Sequence, residues 1–119
     1  MTQPPFFITT PIYYSNDIPH IGHAYSTFIA DIIARDRRAC GYDVRFSTWV
    51  DENSQKVVEK ALEREMDLLE YVDSMAAKHR GVWDALDISY TDFVRTYHPS
   101  QTATVQYMLQ KSFDNDDIY

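Results

Sequence analysis

The sequence predicts an α/β fold, a parallel sheet flanked by helices, from three observations. Phe6 to Ile8 is a short apolar run, Ile21 to about Ala39 is amphipathic with a helical period, and Val44 to Val50 alternates apolar and polar residues. Strand, helix and strand within about 45 residues make a βαβ unit, so the two strands should run parallel. The 119 residues bound the chain to one domain with a modest core, and 45% hydrophobic with 14% aromatic content is that of a folded domain.

Between the first strand and the helix, a loop is expected that carries Pro11, Tyr13, Tyr14, Ser15, Asn16, Asp17 and Pro19. His20-Ile21-Gly22-His23 then opens the helix. Free N–H groups and the positive end of the dipole at a helix start suit an anion, and a triphosphate is expected there. Gly22 lets a ligand approach the backbone, and the three-residue spacing puts both imidazoles on one face. Within the helix, Ala24, Phe28, Ile29, Ile32 and Ile33 predict the stripe that faces the sheet, with Asp31 and Arg35 as a supporting pair on a more polar face. Arg35, Arg37 and Arg38 suit its last turn, and Gly41 stops it.

Asp51 and Glu52 follow the second strand at the carboxyl edge, where open α/β sheets bind ligands. A helix N-cap is the competing reading of Asp51, since Gln55–Arg64 looks helical. Asp67 with Glu70 resembles a capping box and opens a longer helix from Leu68 to about Leu86. On that helix His79 reads as a partly buried structural histidine and Trp83 as core packing. Asp92–Thr96 predicts a third short strand. His98-Pro99 starts a last helix whose apolar edge is Val105, Met108, Leu109 and Phe113, with His98 in the cap region. The acidic ending SFDNDDIY, lacking a cap, partner strand or linker, reads as a truncated end.

Composition narrows the function classes. Lys+Arg 11 against Asp+Glu 18 gives a net charge of −7, which argues against a surface that grips nucleic acid by itself. A single cysteine, Cys40, rules out a disulfide or a zinc ribbon within these residues. No apolar stretch reaches membrane-spanning length, and MTQPP lacks a signal-peptide pattern, so a cytoplasmic protein is expected.

Taken together, TTPIYYSNDIPHIGHAYSTFIADIIARDRRACGYDV, and more loosely DENSQK, WDALDISYTDFVRT and the final DIY, resemble the amino-terminal catalytic half of the methionyl-tRNA synthetases. These are class I aminoacyl-tRNA synthetases with a Rossmann-type core. The resemblance implies that residues 1–119 are the first half of that nucleotide-binding catalytic domain. It implies ATP-dependent activation of methionine to methionyl-adenylate and its transfer to tRNA, with magnesium accompanying ATP and any zinc site outside this chain. His20 and His23 would be catalytic, contacting ATP together with Gly22. Pro11, Ile12 and Tyr14 would line the methionine pocket, and Asp51 would hold the methionine ammonium. The family's Thr-Gly-Thr-Asp-Glu-His-Gly is here Thr48, Trp49, Val50, Asp51, Glu52, Asn53 and Ser54, so an indole replaces a glycine beside the pocket. A Lys-Met-Ser-Lys-Ser loop does not occur in this sequence, so these residues alone are expected to be nearly inactive. Two alternatives stand beside this reading. One is a small His-x-Gly-His nucleotidyltransferase, against which the loop, rich in proline and tyrosine rather than glycine, counts. The other is a non-catalytic truncated product.

Overall fold

The computed structural model describes residues 3–118. Met1 and Thr2 of the leader reading, and Tyr119 of the DIY match, lie outside them. Three strands, β1 (Pro5–Tyr14), β2 (Asp43–Asp51) and β3 (Asp92–Arg95), form one parallel sheet in the order β1-β2-β3. The helices are α1 (Ile21–Ala39), α2 (Gln55–Glu63), α3 (Leu68–Ala85) and α4 (Pro99–Asp114). The parallel βαβ expectation holds, and β3 ends at Arg95, one residue short of the predicted strand.

The first strand departs from its prediction. It runs on through Thr9, Thr10, Pro11, Ile12, Tyr13 and Tyr14, all expected in a loop. Pro11 has no N–H to give a ladder, and the pairing register with β2 shifts between Thr9 and Ile12, where it sits. The irregularity absorbs the proline, and pairing resumes with Ile12 opposite Trp49, Tyr13 opposite Val50 and Tyr14 opposite Asp51.

Helix α1 turns a different face inward than its large apolar residues predict. The buried positions are Ala24, Thr27, Ala30, Asp31 and Ala34, while Phe28, Ile29, Ile32 and Ile33 are exposed, Ile32 by 65%. Small side chains let the helix axis approach the sheet closely, where Ala24, Ala30 and Ala34 join Tyr13, Val44, Phe46, Trp83 and Ile88 in one core. A second cluster, Val57, Ala61, Tyr71, Val72 and Met75, packs α2 on α3. Helix α4 has no buried residue, so the predicted edge of Val105, Met108, Leu109 and Phe113 is exposed among the described residues.

Asp31 is on the inward face and is not a solvent-side partner of Arg35. Its side chain is 8% exposed. It accepts from the Ser89 amide at 2.7 Å, the Ser89 hydroxyl at 2.5 Å and Arg35 Nε at 2.7 Å. Arg35 and Arg38 also reach the turn before β3, at Asp87 and Ser89, so they tie helix to sheet as well as ending the helix. Burial by itself raises the Asp31 pKa, but the Ser89 and Arg35 hydrogen bonds outweigh it and hold the carboxyl below its ordinary value of 3.8. A depressed carboxyl pKa stabilises the fold above the unfolded value, and that contribution is lost as pH falls through the folded one. Asp31→Asn should therefore lower stability by about 1.5–3 kcal/mol at neutral pH, and the gap from wild type should close in acid. Urea unfolding at neutral and acid pH measures both.

Candidate active site at the start of α1

The connection from β1 to α1 is tethered at its β1 end. The Ser15 amide and hydroxyl donate to the Asp51 carbonyl at 3.1 and 2.8 Å, joining the ends of β1 and β2. The Tyr71 hydroxyl donates to the Asn16 carbonyl at 2.9 Å. His20 then takes an extended conformation (φ −111°, ψ 175°) as the N-cap, one residue before the helix proper.

The two histidines cap the helix with their own rings. His20 Nδ1 accepts from the Gly22 amide at 3.0 Å, and His23 Nδ1 accepts from the His20 amide at 3.1 Å. This is a capping box with imidazole at both positions. A ring nitrogen that accepts an amide proton carries none itself, so each neutral ring holds its proton on Nε2. The rings stack at 3.9 Å between centroids with 33° between planes. Through its capping bond, each ring is left with Nε2–H as its donor.

That geometry corrects the expectation of free amides at the helix start. The Gly22 amide is taken by His20, and the His23 and Ala24 amides bond the His20 carbonyl at 3.0 and 3.2 Å. An anion here meets imidazole donors more than bare backbone. Gly22 also has a second reason to be glycine. A Cβ there would lie 2.8 Å from His20 Cε1 and 3.0 Å from Nδ1, so the ring would have to leave its capping position.

Beneath His23, the Tyr13 hydroxyl is 2.7 Å from Ser26 Oγ and 2.9 Å from Thr27 Oγ1, and it donates to the His23 carbonyl at 3.3 Å. The Tyr13 ring meets the His23 ring edge-on at 4.9 Å. Burial, then His20 and then His79 push the His23 pKa below the ordinary 6.5, so the neutral donor form is favoured.

Asp51 is the last residue of β2 and the register partner of Tyr14. It does not cap α2, because Ser54 does, accepting from the Val57 amide. Its Oδ1 accepts from the Asn53 amide at 3.0 Å. Tyr13 and Val50 are buried, so strand alternation puts Ile12, Tyr14, Trp49 and Asp51 together on the other face of the sheet. Pro11, Ile12 and Tyr14 are exposed. The fold thus brings the histidines together at the α1 start, and Ile12, Tyr14 and Asp51 together at the ends of β1 and β2. The Ser15–Asp51 bonds link the two groups along the carboxyl edge. Asp51 makes no hydrogen bond to either imidazole among the described residues.

Glu52, placed with Asp51 at the carboxyl edge by the sequence but given no role there, turns out to be a buried anchor. Its side chain is fully buried, with Arg95 bonding Oε1 through Nε and a second nitrogen, both at 2.8 Å, and the Tyr97 amide bonding Oε2 at 3.1 Å. Its own amide donates to Thr96 Oγ1 at 2.8 Å, and Asp73 lies 2.6 Å from Arg95. Burial raises the Glu52 pKa, with the Tyr97 amide and Arg95 pulling the other way. Burial likewise opposes the Arg95 charge, and Asp73 and Glu52 outweigh it. This cluster holds the residue after Asp51 to β3. A cavity of about 330 Å³ is lined by Arg95 with Arg80, Phe93 and His98 among others, and does not include His20, His23 or Asp51. Among the described residues no three of His, Cys, Asp and Glu group as metal ligands.

The sequence model described as tRNA synthetases class I (M) matches residues 6–119. The chain belongs to the class I tRNA synthetases (M). Its curated relatives within that class include a methionine–tRNA ligase of Thermotoga maritima, 46% identical over 114 residues, covering 96% of this chain and 18% of the relative. One of Bacillus subtilis is 45% identical, covering 96% and 17%. The chain thus spans about a fifth of the length of the curated relatives it matches. A solved Mycobacterium tuberculosis methionyl-tRNA synthetase in complex with methionyl-adenylate superposes with a TM-score of 0.80 at 36% identity, over 82% of this chain and 19% of that one. A leucyl-tRNA synthetase from Agrobacterium radiobacter K84, solved with tRNA, superposes at 0.93 over 100% of this chain and 16% of that one. At 18% identity it supports the fold alone. The Rossmann-type expectation is met, as three parallel strands with four helices.

Proposed function

We propose that this chain is the amino-terminal half of the catalytic domain of a cytoplasmic methionine–tRNA ligase, which activates methionine with ATP and transfers it to tRNA. The observation that carries the proposal is the stacked pair His20 and His23, each fixed by a backbone amide as an Nε2–H donor at the carboxyl edge of a parallel sheet. The identity to methionine–tRNA ligases narrows the substrate.

In the proposed reaction a methionine carboxylate oxygen attacks the α-phosphorus of ATP. The bond to the β-phosphate bridging oxygen breaks, and pyrophosphate leaves with its electron pair. Negative charge moves onto phosphate oxygens without proton transfer, so the protein contributes position and charge stabilisation. The Nε2–H groups of His20 and His23 donate to the oxygens that gain charge. Gly22 keeps the His20 ring seated and gives ATP close access. Ile12 and Tyr14, on one face with Asp51, wall the methionine site together with Pro11, and the Asp51 carboxylate pairs with the ammonium. Trp49, opposite Ile12 in register, narrows that wall. Magnesium enters with the ATP phosphates it neutralises. Contacts to tRNA are assigned to regions outside this chain.

Methionine-dependent ATP–pyrophosphate exchange tests this. The 119 residues alone should show negligible exchange. Joined in frame to the remainder of the Thermotoga maritima ligase, they should restore it. Exchange by the isolated chain near the rate of a full synthetase would refute the half-site assignment. A folded chimera with no methionine-dependent exchange would refute the ligase reading.

A further inference from the structure

Of the two tryptophans, one stands outside both cores among the described residues. Trp83 is fully buried, in the core that α1 shares with the sheet. Trp49, on the central strand β2, is only half-buried and joins neither cluster. A large ring left partly in water on the middle strand of a sheet forgoes much of the burial by which an indole stabilises a fold. Packing of these residues alone does not account for it.

Its place is beside the site. Pairing puts Trp49 between Ile12 of β1 and Val94 of β3. Neighbouring strands lie roughly 4.8 Å apart, so apolar side chains of the same row flank the indole on both sides. Asp51 is two residues further along β2 on the same face, about 6.6 Å away at the rise of a parallel strand. The next row sets Tyr14 opposite Asp51. Ile12 and Tyr14 are exposed and offer open apolar surface beside that carboxylate. The face thus carries an anchor for a cation and, within reach of a short side chain, an apolar wall whose largest member is Trp49.

We propose that Trp49 is a specificity-determining residue: its indole sets how long a side chain the amino acid site accepts when the substrate ammonium pairs with Asp51. The proposal rests on the functional reading above and adds the dimension by which that site selects. Asp51 fixes one end of the substrate, so the side chain is measured from there toward the row of Ile12, Trp49 and Val94. An indole in that row offers a polarisable face to a thioether sulfur, and it occupies room that a longer chain needs. The backbone of β2 cannot retreat to make that room, because it is bonded to a strand on each side.

Pyrophosphate exchange by the chimera, driven by methionine and by ethionine, its S-ethyl homologue with one more methylene, tests this. With Trp49 in place, kcat/KM for ethionine should lie at least about 10-fold below that for methionine. Trp49→Ala should raise the ethionine-to-methionine ratio about 10-fold, and Trp49→Phe should raise it less. The rest of the chimera is common to all three, so a difference belongs to residue 49. A ratio of two substrates on one preparation also cancels the amount of folded enzyme, so a purely structural role leaves it unmoved. Equal ratios in wild type, Trp49→Phe and Trp49→Ala, or a wild-type ratio near one, overturn the proposal and leave the ligase reading standing. If Trp49→Ala does not fold, an unmoved ratio in Trp49→Phe overturns it equally. A folded chimera with no methionine-dependent exchange refutes the functional reading, and the specificity proposal falls with it.

Discussion

Replacing His20 or His23 by asparagine in the chimera should lower kcat for pyrophosphate exchange by roughly 100- to 1,000-fold each, while the fold stays intact. Asparagine separates the two tasks that each imidazole performs. Its side-chain oxygen accepts an amide proton well at an N-cap, so the capping bonds to the Gly22 and His20 amides can be kept. It does not reach as far as Nε2–H. Because both donors act on charge that appears only in the transition state, KM for methionine should change little. A thermal melt confirms that each variant is folded, and exchange kinetics measure the loss. A residual rate near wild type in folded His20→Asn and His23→Asn would remove these rings from the chemistry. The pH profile carries a sign. The His23 pKa is lowered, so the neutral donor persists below 6.5, and kcat should hold through that value on acidification before it falls.

Glu52→Ala should cost about 3 kcal/mol of stability, the upper end of the loss expected for Asp31→Asn. It leaves the Tyr97 amide without an acceptor and strips Arg95, which is only 26% exposed, of one of its two carboxylates. Asp73 remains as a partner, which keeps the cost at the low end of the range for a broken buried pair. Glu52→Gln keeps an acceptor for Tyr97 and should lose less. Urea denaturation ranks wild type, Gln and Ala, and equal stability of all three would show that the pair contributes nothing. The pH dependence runs opposite to that of Asp31. A carboxyl whose folded pKa is raised binds its proton more tightly in the fold, so its contribution declines as pH rises above the ordinary 4.5. In the chimera, a folded Glu52→Ala should also weaken methionine binding, because Glu52 fixes the end of β2 that carries Asp51.

The parallel unit was legible because periodicity reports which residues alternate and which recur every three or four positions. The histidine pair was legible because spacing places both at one helix start. Burial was less legible. The pattern of Phe28, Ile29, Ile32 and Ile33 pointed α1 toward the sheet by its largest apolar residues, yet alanines and a threonine line the contact. Periodicity finds an apolar stripe but does not say which neighbour it meets. The loop expected around Pro11 is strand, because the register shift at Thr9–Ile12 carries β1 past the proline. The pairing that absorbs a proline belongs to the partner strand, and no local window contains it.

By itself the sequence determined that a strand, a helix opened by two histidines and a parallel strand ending in Asp51 share one carboxyl edge. Those features depend on bonds and periods within a few residues of each other. Spacing did not decide the state of the two rings, because their amide donors, the Gly22 contact and the stacking exist only once the local cap has closed. The tertiary structure alone brought the His79 ring to 6.4 Å from that of His23 and closed Glu52 on Arg95, pairs that are remote in the chain and meet only when α3 and β3 return to the sheet. Proximity of that kind follows from packing the whole domain, and packing is a property of all the residues together.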